Sequence, residues 1–167
     1  MNLNIQLMNL HKILLHFVLR KIFIISVVFL FLAIFFSTSY SQSAGEFRTI
    51  AGGSWTDAIW QKYNGVAWEN SPSPTSAEGI INVLHPVSLN INITLDQLVI
   101  SSTLTISAGD SLTIVNGIST DLVLNGTITG PGNIYLSPGT DNNLSGTISG
   151  SGTMILAAGS TCSSNSI

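Results

Sequence analysis

Residues 124–139 read LNGTITGPGNIYLSPG, and residues 144–159 read LSGTISGSGTMILAAG. At an offset of twenty, eight of sixteen positions are identical: Leu124/Leu144, Gly126/Gly146, Thr127/Thr147, Ile128/Ile148, Gly130/Gly150, Gly132/Gly152, Leu136/Leu156 and Gly139/Gly159. A looser copy lies thirty residues earlier, where STLTISAG at 102–109 aligns with GNIYLSPG at 132–139. The apolar residues hold their phase through these copies. A unit of about twenty residues cannot bury its own apolar face, whereas stacked units bury a continuous column.

The pattern extends outward on both sides. Ile81, Val83, Val87, Leu89, Ile91, Ile93 and Leu95 alternate with mostly polar residues, the period of a half-buried strand. Pairs follow at Leu98/Ile100, Leu104/Ile106, Leu112/Ile114, Leu122/Leu124, Ile134/Leu136 and Met154/Leu156, each bounded by Gly, Asn or Ser. Glycine supplies positive φ where such a chain turns a corner. The reading is an all-β chain: a right-handed parallel β-helix, or related β-solenoid, with an aromatic N-terminal cap, preceded by a signal helix. An antiparallel β-sandwich also uses short strands and turns, but it gives no reason for a repeat of fixed phase.

The chain of 167 residues divides by composition. Residues 1–41 read as a signal peptide, 42–79 as an aromatic cap region, 80–159 as solenoid repeats and 160–167 as a polar tail. The tail stops in mid-pattern, as expected of a piece of a longer protein. The leader carries Lys12, Arg20 and Lys21 and no acid, followed by fifteen residues, 22–36, whose one polar interruption is Ser26. Ser39-Tyr40-Ser41 fits a small-x-small cleavage site that leaves Gln42 as the new N-terminus. The rival reading is a retained anchor. Fifteen helical residues span about 22 Å against a hydrocarbon core of about 30 Å. A lipoprotein lacks support, because the single cysteine, Cys162, lies far from the cleavage site.

Residues 42–167 hold two basic residues, Arg48 and Lys62, and all eight acids, a formal charge of −6. So few cations cannot neutralise a row of phosphates, which argues against nucleic acid as a partner. One cysteine excludes a disulfide framework. His85 is the single histidine beyond the leader, and beside Pro86 it reads as structural. No second histidine or cysteine pair accompanies it to hold a metal, and no nucleophile-elbow sequence accompanies it. Asp96, Asp110, Asp121 and Asp141 read as solvated turn residues. Asp121 and Asp141 share a repeat phase, which leaves a calcium site of two carboxylates and carbonyls as the sharper alternative. Asn142 and Asn143 read as rungs of a stacked ladder.

Trp55, Trp60, Tyr63 and Trp68 fall within fourteen residues and are the candidate glycan-binding residues, with Asn64 or Glu69 beside them for hydroxyls. The competing role is structural: Trp55 and Trp60 close the open end of the solenoid, since tryptophan covers the most apolar area.

GSWTDAIWQ at 53–61, then Pro72 and Pro74, then IINVLHPVSLNINITLDQLVISSTLTI at 80–106, resembles the N-terminal region of large secreted Bacteroidetes-type β-helix surface proteins. The eight-glycine domain of surface proteins shares this layout. The matching positions are Trp55, Trp60, Pro74, Ile81, Val83, Val87, Leu89, Leu98, Ile100, Leu104 and Ile106, and the likeness covers residues 50–136. Two positions depart from it: the acid before the first strand stands at Glu78, and His85-Pro86 replaces a glycine. The resemblance implies type IX secretion cargo, secreted or held on the outer cell surface, acting as an adhesin or as an appendage of a polysaccharide-degrading enzyme.

The expected function is therefore a secreted or cell-surface structural or adhesive module with no catalytic residues, no cofactor and no metal of its own. The alternative is a carbohydrate-binding appendage whose partner is a polysaccharide or cell-surface glycan. The membrane enters only through the signal segment before cleavage.

Overall fold

The computed structural model describes residues 42–75 and 78–163, together with residues 16 and 19–23, which are helical. The chain divides into two compact units, Met1–Ser41 and Gln42–Ile167. The cleavage signal, most of the apolar run at 22–36 and residues 164–167 lie outside the described residues. Among the described residues, no helix is long and apolar enough to cross a membrane.

The second unit is built of short strands. β1 (Phe47–Thr49) and β2 (Gly53–Ser54) form a partial coil. β3 (Trp60–Tyr63) and β4 (Trp68–Ser71) form a hairpin laid antiparallel against β1. Four coils follow, each of three strands. They are β5 (Ile81–Val83), β6 (Val87–Leu89) and β7 (Ile93–Leu95); β8 (Leu98–Ile100), β9 (Thr103–Ile106) and β10 (Ser111–Ile114); β11 (Leu122–Leu124), β12 (Thr127–Thr129) and β13 (Asn133–Leu136); and β14 (Asp141–Leu144), β15 (Thr147–Ile148) and β16 (Met154–Leu156). β17 (Thr161–Ser163) starts another turn.

Each strand hydrogen-bonds to the strand one coil away, parallel and in register, so the coils generate three sheets. The first runs β17-β14-β11-β8-β5-β1-β3-β4, the second β15-β12-β9-β6-β2, and the third β16-β13-β10-β7. This is a β-solenoid. One path winding through parallel ladders excludes the antiparallel sandwich. The register places Leu122 over Leu98, Leu124 over Ile100, and Leu144 over Leu124. Ile93, Leu112, Ile134 and Met154 make a second column, and Val87, Leu104, Ile128 and Ile148 a third. Leu104, Leu112, Leu122 and Leu124 have no exposed surface. Each such side chain contributes roughly 1.5–3 kcal/mol when fully buried. Exposure rises at the fourth coil, where Ile148 is 39% and Leu156 50% exposed, against 1% for Ile128 and Leu136 one coil below.

The period is not uniform. Column partners are 17 residues apart from Ile81 to Leu98, 24 from Leu98 to Leu122, and 20 for Leu122 to Asn142 and Asn142 to Cys162. The extra length of the second coil is shared by two corners, 107–110 and 115–121, and the latter carries exposed Ile118 and Ser119 at φ 79°. The thirty-residue copy read in the sequence is not a structural register. β9 stacks on β12 with Thr103 opposite Thr127 and Leu104 opposite Ile128. STLTISAG and GNIYLSPG look alike because both are a strand running into a Ser-x-Gly turn. Gly109 and Gly139 close those turns at φ 84° and 81°, but at different corners of the coil.

The repeated glycines serve two purposes. Gly130 and Gly150 have φ 104° and 116°. Gly126 and Gly146 do not need positive φ; they let one coil approach the next. A Cβ at Gly126 would overlap the Ser102 carbonyl oxygen, and one at Gly146 would overlap that of Gly126.

The ladders reach beyond both ends of the repeat region drawn from composition. Phe47 pairs with Ile81 and Gly53 with Val87, so the solenoid begins inside the aromatic region. Thr161–Ser163, read as tail, is a strand paired with Asp141–Asn143.

Candidate functional site

The capping end carries the four aromatic residues singled out in the sequence, and it divides them. Trp55 donates its backbone N–H to Ser88 O at 2.8 Å, which continues the β2/β6 register by one residue and sets the side chain at the Leu89 position of the stack. Its indole N–H reaches Pro74 O at 3.3 Å. Trp60 donates its indole N–H to Trp55 O at 2.7 Å, and the two rings meet at 4.7 Å between centroids. Their exposures are 0% and 1%. With polar handles satisfied and ring faces covered, both act as a plug. They offer no surface on which a sugar can stack, so the glycan-binding reading of Trp55 and Trp60 does not hold.

Tyr63 and Trp68 lie opposite each other on β3 and β4, half-buried, with centroids 5.3 Å apart. Strand alternation puts Phe47, Trp60, Lys62 and Glu69 on one side of this three-stranded end. Arg48, Gln61, Tyr63, Trp68 and Asn70 share the other. There the Arg48 guanidinium carbon stands 4.2 Å from the Trp68 ring centroid. Arg48 Nε and Nη2 both donate to Gln61 Oε1, at 3.1 and 2.8 Å, and Gln61 Nε2 donates to Asn70 Oδ1 at 3.4 Å. A guanidinium held by a ring and by an amide is pre-organised. Composition gave no hint of Arg48; only the pairing of β1 with the hairpin brings it to Trp68.

The neighbouring polar residues are committed. Asn64 Oδ1 accepts from the N–H groups of Val66 and Ala67, both at 2.9 Å, and organises the hairpin turn. Asn64 Nδ2 donates to Glu69 Oε1 at 2.7 Å. Lys62 pairs with Glu78 at 2.7 Å.

His85 receives its place from Thr49. Its N–H donates to Thr49 Oγ1 at 3.1 Å, and ring Nδ1 lies 3.1 Å from Thr49 O, where a carbonyl can only accept. Asp121 differs from its reading as a solvated turn residue, for it is fully buried. Its Oδ1 accepts from Gly117 N–H and its Oδ2 from Asp141 N–H, each at 2.7 Å. The cause is the long corner at 115–121, where the carboxylate supplies an acceptor to the Gly117 N–H and to Asp141 N–H of the next coil. Asp141 is exposed and accepts from Thr161 Oγ1 at 2.9 Å. The two carboxylates thus serve separate backbone and side-chain donors. Among the described residues, no group of three metal-ligating side chains converges.

Asn142 and Asn143 do not form an asparagine ladder. They stack between Leu122 and Val123 on one side and Cys162 and Ser163 on the other. Buried Asn142 donates from Nδ2 to Thr140 Oγ1 at 3.0 Å and Thr161 O at 2.9 Å. Cys162 lies exposed on the last strand; what desolvation it has pushes its thiol upward, away from the reactive thiolate.

No family model matches the chain, and no curated protein and no solved structure matches it.

Proposed function

We propose that this chain is a structural or adhesive β-solenoid module, exported by its leader and carried on the outer surface or released, with no catalysis of its own. One observation carries the reading: the side chains that chemistry would need are engaged in holding corners and caps. His85 is held at Thr49, Asp121 at Gly117 and Asp141, and Lys62 at Glu78. The sequence likeness to secreted Bacteroidetes-type β-helix proteins, cargo of type IX secretion, supports the compartment.

The test is to express the complete chain in a Gram-negative host and fractionate it. The exported product is expected to begin at Gln42 and to adhere to cells or glycan-coated surfaces without degrading the glycan. A cytoplasmic product still beginning at Met1 would contradict export. Polysaccharide turnover that vanishes in His85→Ala would contradict the non-catalytic role.

A second reading, a carbohydrate-binding appendage of a polysaccharide-degrading enzyme, is favoured by the half-exposed Tyr63 and Trp68 and the guanidinium over the latter. Paired aromatic faces beside fixed donors suit a pyranose, which is apolar on its C–H face and polar at its edge.

A further inference from the structure

We propose that the outward face of β1, β3 and β4 binds a carboxylate-bearing saccharide, a uronic acid unit of an acidic polysaccharide, with Arg48 taking the carboxylate and Trp68 and Tyr63 the sugar ring. This rests on the carbohydrate-binding reading and adds the chemical class of the ligand.

The argument starts from charge. Residues 42–167 contain two cations and eight acids. Lys62 is neutralised by Glu78 at 2.7 Å. Arg48 is not: among the described residues no carboxylate pairs with it, and its hydrogen-bond partner is the neutral Gln61 carbonyl oxygen. In so acidic a chain, a guanidinium that pairs with no carboxylate among the described residues keeps its charge available to a ligand. The acid that register brings to this side is Glu46, opposite Tyr63, and its Oε1 is taken by Ser43 N–H at 2.7 Å. Along the outward positions the register gives Arg48, then Gln61 and Tyr63, then Trp68 and Asn70, with Asn82 on the next strand. Glu69 belongs to the opposite side of β4 with Lys62.

The geometry of the guanidinium adds the specificity. An arginine has five N–H donors. The Nε edge of Arg48 is used by Gln61, through Nε and one Nη2 hydrogen. The other edge, both Nη1 hydrogens and the second on Nη2, keeps the parallel pair that a carboxylate accepts bidentately. Trp68 stands against the guanidinium at 4.2 Å, and Gln61, itself bonded to Asn70, holds its edge. The fork therefore loses little freedom on binding. Tyr63, 5.3 Å from Trp68, extends the aromatic surface along which the ring of the same sugar lies. The chain's overall negative charge opposes a polyanion at long range, but at physiological salt that field is screened within about 8 Å. Recognition is short-range and weakens as salt is added.

The test uses the complete exported chain in affinity electrophoresis through gels containing polygalacturonate, or the same polymer methyl-esterified, which keeps the ring and removes the charge. Polygalacturonate is expected to retard the protein, and the esterified polymer at least tenfold less. Arg48→Gln should lose the preference for the charged polymer, Arg48→Lys should not restore it, and Trp68→Ala should lose retardation by both. Equal retardation by both polymers would overturn the uronate assignment and leave the carbohydrate reading standing. Retardation by neither would overturn the assignment, and a neutral-glycan array would then decide the carbohydrate reading separately. Loss of the charge preference in Arg48→Lys, with retention by the wild type, separates fork recognition from simple charge.

Discussion

Replacing Leu124 with aspartate is expected to leave no cooperative unfolding transition. Leu124 has no exposed surface and lies between Ile100 on one coil and Leu144 on the next. Removing the side chain alone, as in Leu124→Ala, costs about 2–5 kcal/mol in a packed core. A carboxylate at the same place has no donor in the column and adds several kcal/mol of uncompensated desolvation. Against a total stability of roughly 5–15 kcal/mol, that sum removes the native state. The control is one residue away. Val123 points outward between Val99 and Asn143 and is half-buried. Val123→Thr is expected to stay within about 0.5 kcal/mol of the parent. Far-UV circular dichroism and urea titration read both. A folded Leu124→Asp protein would mean that this position does not face a dry interior.

Gly126→Ala is expected to destabilise the solenoid by about 3 kcal/mol, although it adds one methyl group. The methyl would overlap the Ser102 carbonyl oxygen, which is backbone and part of the ladder. Ser102 O accepts from Thr127 N–H at 2.8 Å, and Gly126 N–H donates to Ile100 O at the same distance. Relief of the overlap pushes the two coils apart where these bonds hold them together. Gly109→Ala makes the comparison. That glycine lies in open space at φ 84°, so alanine there meets only the left-handed backbone cost of about 1–2 kcal/mol. Urea midpoints at constant m-value give the ordering. Equal losses at the two sites would show that close approach of the coils is not what glycine provides at 126.

The sequence made the solenoid legible where coil lengths agree. Leu124 and Leu144 are twenty residues apart because the third and fourth coils turn their corners in the same number of residues. The first coil is shortened at the 96–97 corner and the second lengthened at 107–110 and at 115–121, so their partners, Ile81 with Leu98 and Leu98 with Leu122, keep no common spacing. A local turn signal then imitated a register. Ser-x-Gly ends both β9 and β13, at different corners, and it drew Leu104 toward Ile134 when its neighbour is Ile128.

The cap was half legible. Large apolar area suffices to mark Trp55 and Trp60 as a plug. The role of Tyr63 and Trp68 depends on pairing across strands, and Arg48 reaches Trp68 from twenty residues away through β3. Asp121 was misplaced for a related reason. Its burial follows from a corner whose length is visible only when the coils on either side are aligned.

Methyl-labelled NMR of the chain tests the parallel stack most directly. Ile100, Leu124 and Leu144 are expected to show Overhauser contacts from Ile100 to Leu124 and from Leu124 to Leu144, with none from Ile100 to Leu144, as a column of successive coils requires. Absence of the Leu124–Leu144 contact, or backbone contacts of antiparallel type between residues 122–124 and 142–144, would contradict the solenoid and every functional assignment built upon it.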